Sequence, residues 1–394
     1  MNAEEAWIDA ARSDFTRDFG RPAEWAALAP GRVNLIGEHT DYNRGLALPC
    51  AIDRQALVLA APRSDRQVRV RAWDLGEEGE FLSAAPRRRG TWLDYVQGAF
   101  SVLAERGIDA PGFDLGITSR VPLNAGLSSS AALGVAMAAG LGAALGLEMS
   151  AYDWARAAHR AENEFVGVRC GLLDPFASAL GRKGHALRID CRSERVEAVA
   201  ISGGDLGILL VHSGVERRVA DGAYGQRVAE CARAVAAAVE AGIAPASARF
   251  LRDLEGVDPA ALERVLDPVA FQRARHVLGE NRRVIAFCRA LKAGDRPALG
   301  SLLAEGQASL RDDYAVSTPE IDLLCQLGAD CDGVVGSRLT GAGLGGFTLH
   351  LVVPDRMERA RRQISEGFEA RFGRRPQTLA ALPSQGARVE RVRG

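Results

Sequence analysis

The stretch GRVNLIGEHTDYNRG, residues 31–45, decides how the rest of the chain is read. Within fifteen residues it carries Arg32, Asn34, Glu38, His39, Asp41 and Asn43, broken by three glycines and only three aliphatic side chains. Clean apolar runs follow it, so it reads as a polar loop between strands near the start of a globular chain. Charge and amide at that density raise the question of what the loop holds.

The chain has 394 residues, enough for two domains and at least one well-buried core. Lys and Arg number 49 against 50 for Asp and Glu, which argues against a general binder of nucleic acid or anionic membranes. Seven scattered cysteines with no CxxC pair argue against a disulfide framework or a zinc site, and a reducing cytoplasmic setting is expected. The acidic, amphipathic start MNAEEAWIDAARSDF has no signal-peptide pattern. AALGVAMAAGLGAALGL (131–147) is too short and too rich in Ala and Gly for a membrane span and reads as a closely packed core helix.

Working outward, residues 5–19 read as a helix, 56–61 and 67–73 as strands, 92–107 as a helix and 113–119 as a strand. Helices follow at 131–147 and 151–165, and GILLVHSG (207–214) reads as a strand. Three or four helical segments are expected between about 220 and 305, then a Gly-rich turn into a strand and a last helix. Strands and helices mix without regular βαβ alternation, so the fold class is α+β with two domains, 1–195 and 196–394.

Three further segments bear chemistry. PLNAGLSSSAA (122–132) lies between a predicted strand and helix, where glycines and helix N-terminal amides suit phosphate and the hydroxyls add donors. A serine N-cap explains the same residues, and both readings stand on this segment alone. It lacks the Walker pattern. LTGAGLGGFT (339–348) puts four glycines into six residues before a strand, which implies close approach to a ligand or to another loop. In ENEFVGVRCGLLD (162–174), Asp174 stands in apolar company before Pro175. It is either a residue of a helix start or a base that needs a nearby cation to stay ionised. No Ser-His-Asp set or paired-His metal spacing is present.

Taken in order, these segments resemble the GHMP kinase superfamily and, within it, the galactokinase family. APGRVNLIGEHTDYNRG, GLSSSAAL, CGLLD, HVLGEN, SLRDDYAVSTPEIDLL and LTGAGLGGFT match that family's segments along nearly the whole chain. The resemblance implies an N-terminal domain like ribosomal protein S5 domain 2, a C-terminal ferredoxin-like domain with added helices, and a site between them. It implies ATP-dependent phosphorylation of the anomeric hydroxyl of galactose, with Mg²⁺, in a cytoplasmic protein expected to be a monomer. Kinases of arabinose, galacturonate or N-acetylgalactosamine are sister activities. A silent galactose- and ATP-sensing regulator would be altered at the serine loop, which is intact here.

Residue by residue, the resemblance implies Asp174 as catalytic Asp and Arg32 as its partner beside the transferring phosphate. Glu38, His39, Asp41, Gly171 and Tyr224 would meet the sugar. Gly126, Leu127, Ser128, Ser129, Ser130 and Ala131 would cradle ATP, with Ser130 and Glu162 on Mg²⁺. Three positions depart from the family pattern near the sugar: Pro175, Arg44 and the surroundings of Tyr224.

Overall fold

A computed structural model describes residues 3–123, 126–168, 170–201, 206–215 and 220–392. Helix α1 (Ala3–Phe19) leads into β1 (Trp25–Ile36), β2 (Leu46–Pro62), β3 (Gln67–Ala72) and β4 (Glu77–Leu82). Helix α2 (Leu93–Glu105), β5 (Phe113–Ser119), α3 (Ser129–Ala144), α4 (Ala151–Arg160) and α5 (Leu173–Leu180) follow, then β6 (His185–Asp190) and β7 (Arg195–Ala200). The second half holds β8 (Gly207–His212), α6 (Ala220–Glu240), α7 (Pro259–Val265), α8 (Pro268–Ala293), α9 (Arg296–Asp312) and α10 (Pro319–Ala329). It ends with β9 (Val334–Leu339), β10 (Phe347–Val352), α11 (Met357–Phe372), β11 (Thr378–Ala381) and β12 (Arg388–Arg391).

Two sheets organise these elements. The larger runs β12-β1-β2-β5-β3-β4, with β6 on the first residues of β2 and β7 on β6. The smaller runs β11-β8-β10-β9 and is antiparallel throughout. This is the expected α+β class. One face of the large sheet is covered by α1 through Ile8, Ala11 and Phe15, and the other by α2 to α5 through residues such as Phe100, Met137 and Phe176. Glycines and alanines on α3 allow the close packing read from its composition: Gly140 lies against Ala27 and Gly134 against Ala158.

The structure corrects three expectations. Residues 31–36 are not loop but the end of β1, paired to β2 from Trp25 to Ile36. Their alternation was masked because β1 is buried along its whole length from Ala26 and carries polar side chains on its site-facing side. The expected division at residue 195 does not divide the sheets. Strand β7 pairs with β6 beyond that point, and β12 returns from the chain's end to pair with β1. The 151–165 helix is α4 followed by a π-helical turn over Ala161–Val166.

Both halves share one core. Val33, Leu35 and Leu48 from the large sheet pack in the same cluster as Leu210 and Leu349 from the small sheet, with Phe287 of α8 among them. Phe287 is fully buried there. Phe287→Ala is expected to cost about 3–5 kcal/mol, read as a lower urea midpoint in a single transition. A loss below about 1 kcal/mol would contradict a shared core.

Candidate active site

The site begins where β1 passes the start of α3. Val33 and Leu35 enter the core, while Arg32 and Asn34 alternate with them. The Arg32 amide donates to the Leu127 carbonyl at 3.1 Å, and Asn34 exchanges backbone bonds with the Thr340 hydroxyl at 3.1 and 2.9 Å. A Cβ at Gly31 would sit 2.6 Å from the Leu127 oxygen, so only glycine admits the serine loop this close.

Arg32 is nearly buried and grips Asp174 bidentately, with Nε and Nη2 each 2.7 Å from a carboxylate oxygen. Its Nη1 donates to the Gly126 carbonyl at 2.6 Å. The Ser128 hydroxyl donates to Asp174 Oδ2 at 2.5 Å. Ser128 stands at the N-cap of α3 in the left-handed region (φ 59°) and makes no side-chain cap bond. The N-cap reading of the serines therefore fails for the residue in the cap position, whose hydroxyl points to Asp174 instead. Asp174 lies in the first turn of α5, where the helix N-terminus also favours a carboxylate.

The polar turn after β1 is folded by its own side chains. The Thr40 hydroxyl bonds to the carbonyl oxygens of Gly37 and Leu46 (2.9 and 2.7 Å), and the Asn43 amide donates to the His39 carbonyl at 3.0 Å. A short 3₁₀ turn, Asp41–Asn43, presents Asp41 toward Gly171. A Cβ on Gly171 would lie 2.1 Å from Asp41 Oδ2, so any side chain there displaces the carboxylate. Burial, with the Asp174 carboxylate next, pushes Asp41 up to about 6.

Glu162 sits in the π-helical turn, a wide turn often found at functional sites. Burial raises its carboxyl; the Ser130 hydroxyl bonds to it and opposes that, while Asp174 adds to it. Ser130 and Glu162 are thus an oxygen pair beside Asp174. Among the described residues no group of three or more His, Cys, Asp or Glu is arranged as a metal cage.

Glu38 points to the other side of the turn. Its Oε2 is paired with Arg338 of β9, whose side chain is fully buried. Arg338 also meets Glu280 of α8 at 2.8 Å; Glu280 accepts the Gly37 amide at 2.9 Å and pairs with Arg283 at 2.7 Å. Burial works against the charge of Glu280, and Arg338 and Arg283 outweigh it and hold it below the usual carboxylate range. Burial pushes Glu38 up to about 7 against the pull of Arg338. Its Oε1 is buried with no hydrogen-bond partner.

His39 is buried and kept neutral: burial lowers its imidazole to about 3. Its ring nitrogens face the Tyr42 hydroxyl (3.0 Å) and the Ala342 carbonyl (3.1 Å), so protein groups occupy both. Tyr224 of α6 packs against Tyr42 and His39, with ring centroids 5.1 and 6.2 Å away. Arg44 turns away: its guanidinium lies 4.7 Å over Phe250, and its carbonyl accepts from Arg252. Pro175 is buried inside α5. Sequence reading missed Arg338, Glu280 and the bond from Ser128 to Asp174. HVLGEN holds Glu280, but nothing in the order of residues reveals that it accepts the Gly37 amide 243 positions earlier or pairs with Arg338.

Comparison with known proteins points to one family. A family profile described as the galactokinase galactose-binding signature matches residues 13–62. Profiles for the N-terminal domain and the C-terminal region of GHMP kinases match 94–182 and 287–370. Among solved structures, Lactococcus lactis galactokinase complexed with galactose is 30% identical with a TM-score of 0.90, over 97% of this chain and 99% of that one. Methanococcus jannaschii mevalonate kinase is 17% identical with a TM-score of 0.67, over 93% and 100% of the two chains, a likeness of fold alone.

The raised Asp41 has a consequence for stability. Its protonated form favours the fold below its ordinary value of 3.8, and that contribution is lost as pH rises through about 6. Asp41→Asn, which cannot ionise, is expected to melt several degrees above wild type at about pH 8 and with it at about pH 4. Calorimetric melting measures this, and a variant that melts below wild type at both pH values contradicts the buried-charge assignment.

Proposed function

The chain belongs to the galactokinase family of GHMP kinases, and from that premise we propose how its residues move a phosphoryl group from ATP to galactose. It is an ATP-dependent galactose kinase. One observation carries the residue-level reading: the Arg32–Asp174 pair stands against the serine loop, next to Asp41 and Gly171.

The anomeric hydroxyl of galactose donates its proton to Asp174 as its oxygen bonds to the γ-phosphorus and the bond to the β-phosphate oxygen breaks, releasing ADP. Phosphoryl transfer needs in-line positioning and charge neutralisation more than covalent help. Arg32 has five N–H donors. Three are used on Asp174 and Gly126, which leaves two for the transferring oxygens. It grips Asp174 and bridges it to the phosphate in one side chain.

The loop from Gly126 through Leu127, Ser128, Ser129 and Ser130 to Ala131 cradles the phosphates at the start of α3. Ser130 and Glu162 would hold Mg²⁺, which would supply positive charge to the phosphates when bound. The fit rests on chemistry: oxygen donors suit Mg²⁺, and Glu162 is a buried carboxylate beside Asp174 that makes no ion pair with another of the described residues.

Asp41, Tyr224 and Glu38 take sugar hydroxyls, with Gly171 giving backbone access. The orphaned Oε1 of Glu38 supports its part, since a buried acceptor without a donor is costly until a hydroxyl meets it. His39 acts through the shape of the pocket, its nitrogens being engaged already. Arg44 has no part in choosing the sugar, because it stacks on Phe250. Among the described residues no helix is long and apolar enough to cross a membrane, and the cysteines are free. We place the enzyme in the cytoplasm as a monomer.

Purified protein with ATP, Mg²⁺ and a sugar panel should release ADP with galactose in preference to arabinose, galacturonate and N-acetylgalactosamine. Asp174→Ala should lower kcat by about 10²–10⁴-fold while galactose binding stays measurable by calorimetry. Turnover at the wild-type rate in that variant would remove Asp174 from the chemistry.

A further inference from the structure

His39, Tyr42, Tyr314 and Cys231 form a buried row outside the phosphoryl-transfer centre, and its proton directions are forced. The Ala342 carbonyl only accepts, so His39 Nε2 carries the hydrogen at 3.1 Å. The ring is neutral, so Nδ1 is bare and accepts from the Tyr42 hydroxyl at 3.0 Å. With its proton used, Tyr42 accepts from Tyr314 at 2.6 Å. With that proton used, Tyr314 accepts from the Cys231 thiol at 3.2 Å. The Asn43 amide closes the row by donating to Cys231 Sγ (3.6 Å) and to the His39 carbonyl.

We propose that this one-way chain fixes His39 as its Nε2–H tautomer, and that Tyr42, Tyr314 and Cys231 are positioning residues for galactose. The chain joins the turn that carries Asp41 to α6, which carries Tyr224, so it sets the spacing between two groups assigned to the sugar. This role rests on the galactose-binding reading above. The Tyr314 end is rigid: Arg227 of α6 donates to the carbonyl oxygens of Tyr314 (2.7 Å) and Ala315 (3.1 Å). The His39 end reaches the Gly-rich loop 341–346, which is held from the same segment by the Leu344 amide on the Val316 carbonyl at 2.7 Å. Two glycines of that loop serve close approach to neighbouring segments, since a Cβ at Gly343 would lie 2.4 Å from Val316 O and one at Gly345 2.5 Å from Val215 O. None of the row's side chains touches the Arg32–Asp174 pair, so the expected signature is in KM for sugar.

Tyr314→Phe deletes one donor inside the row and should raise KM for galactose about tenfold, with kcat and KM for ATP within about twofold. Cys231→Ala should raise it in the same sense, whereas Cys231→Ser keeps a donor and should restore the wild-type value. A fall in kcat and melting temperature with KM unchanged is what packing alone predicts, and it overturns the proposal. Histidine ¹⁵N spectra of the sugar-free protein, assigned by His39→Gln, should show His39 protonated at Nε2. Protonation at Nδ1 overturns the chain. That readout needs no substrate, so it stands apart from whether galactose is turned over: loss of galactose turnover in wild type would fell the functional reading and leave the tautomer intact.

Discussion

The arrangement of the site hangs on one side chain. Arg32 projects from β1, is nearly buried, and makes three charge-assisted bonds that tie together β1, the serine loop and the first turn of α5. A buried guanidinium is tolerated when it is paired, and Asp174 and the Gly126 carbonyl take three of its donors at 2.6–2.7 Å. The same bonds bring together the residues to which the proposed phosphoryl transfer is assigned. Moving any one element would leave a buried charge without its partner, so the geometry is held by the cost of breaking it.

Around that pair, negative charge is concentrated and unevenly neutralised. Asp174 acts on both Asp41 and Glu162, and Arg32 forms its ion pair with Asp174. Burial, with the Asp174 carboxylate adding to it, raises the carboxyls of Asp41 and Glu162. On the opposite side of the turn the balance is tighter. Arg338 sits between Glu38 and Glu280, and Arg283 adds a second cation to Glu280. That cluster fixes the turn to β9 and α8 and leaves one Glu38 oxygen without a donor.

Much of this was legible in the sequence where residues close in the chain act together. The helix at 5–19, the strand at 113–119 and the Ala-rich α3 follow from periodicity and composition, and the observed elements agree with them. Short runs of glycine, hydroxyl and carboxylate drew attention to the serine loop and Asp174, and the roles expected of them came from the resemblance to the family. What escaped depends on distance along the chain. The strand character of residues 31–36 was hidden because polar side chains face a buried site instead of water. Arg338 reads as an ordinary strand residue until β9 brings it to Glu38, 300 positions away. The return of β12 to β1 has no local signal, and Arg44, which the family pattern left unexplained, is understood only when Phe250 lies under it.

The most direct test is steady-state kinetics of Arg32→Lys. Lysine keeps the positive charge but cannot grip a carboxylate with two parallel donors or keep spare donors for a phosphate. If Arg32 organises phosphoryl transfer through that geometry, kcat should fall by about 10²–10³-fold while KM for galactose changes by less than about threefold. A variant that keeps kcat within about threefold of wild type would show that charge alone is required, and would contradict the central place given to the Arg32–Asp174 pair.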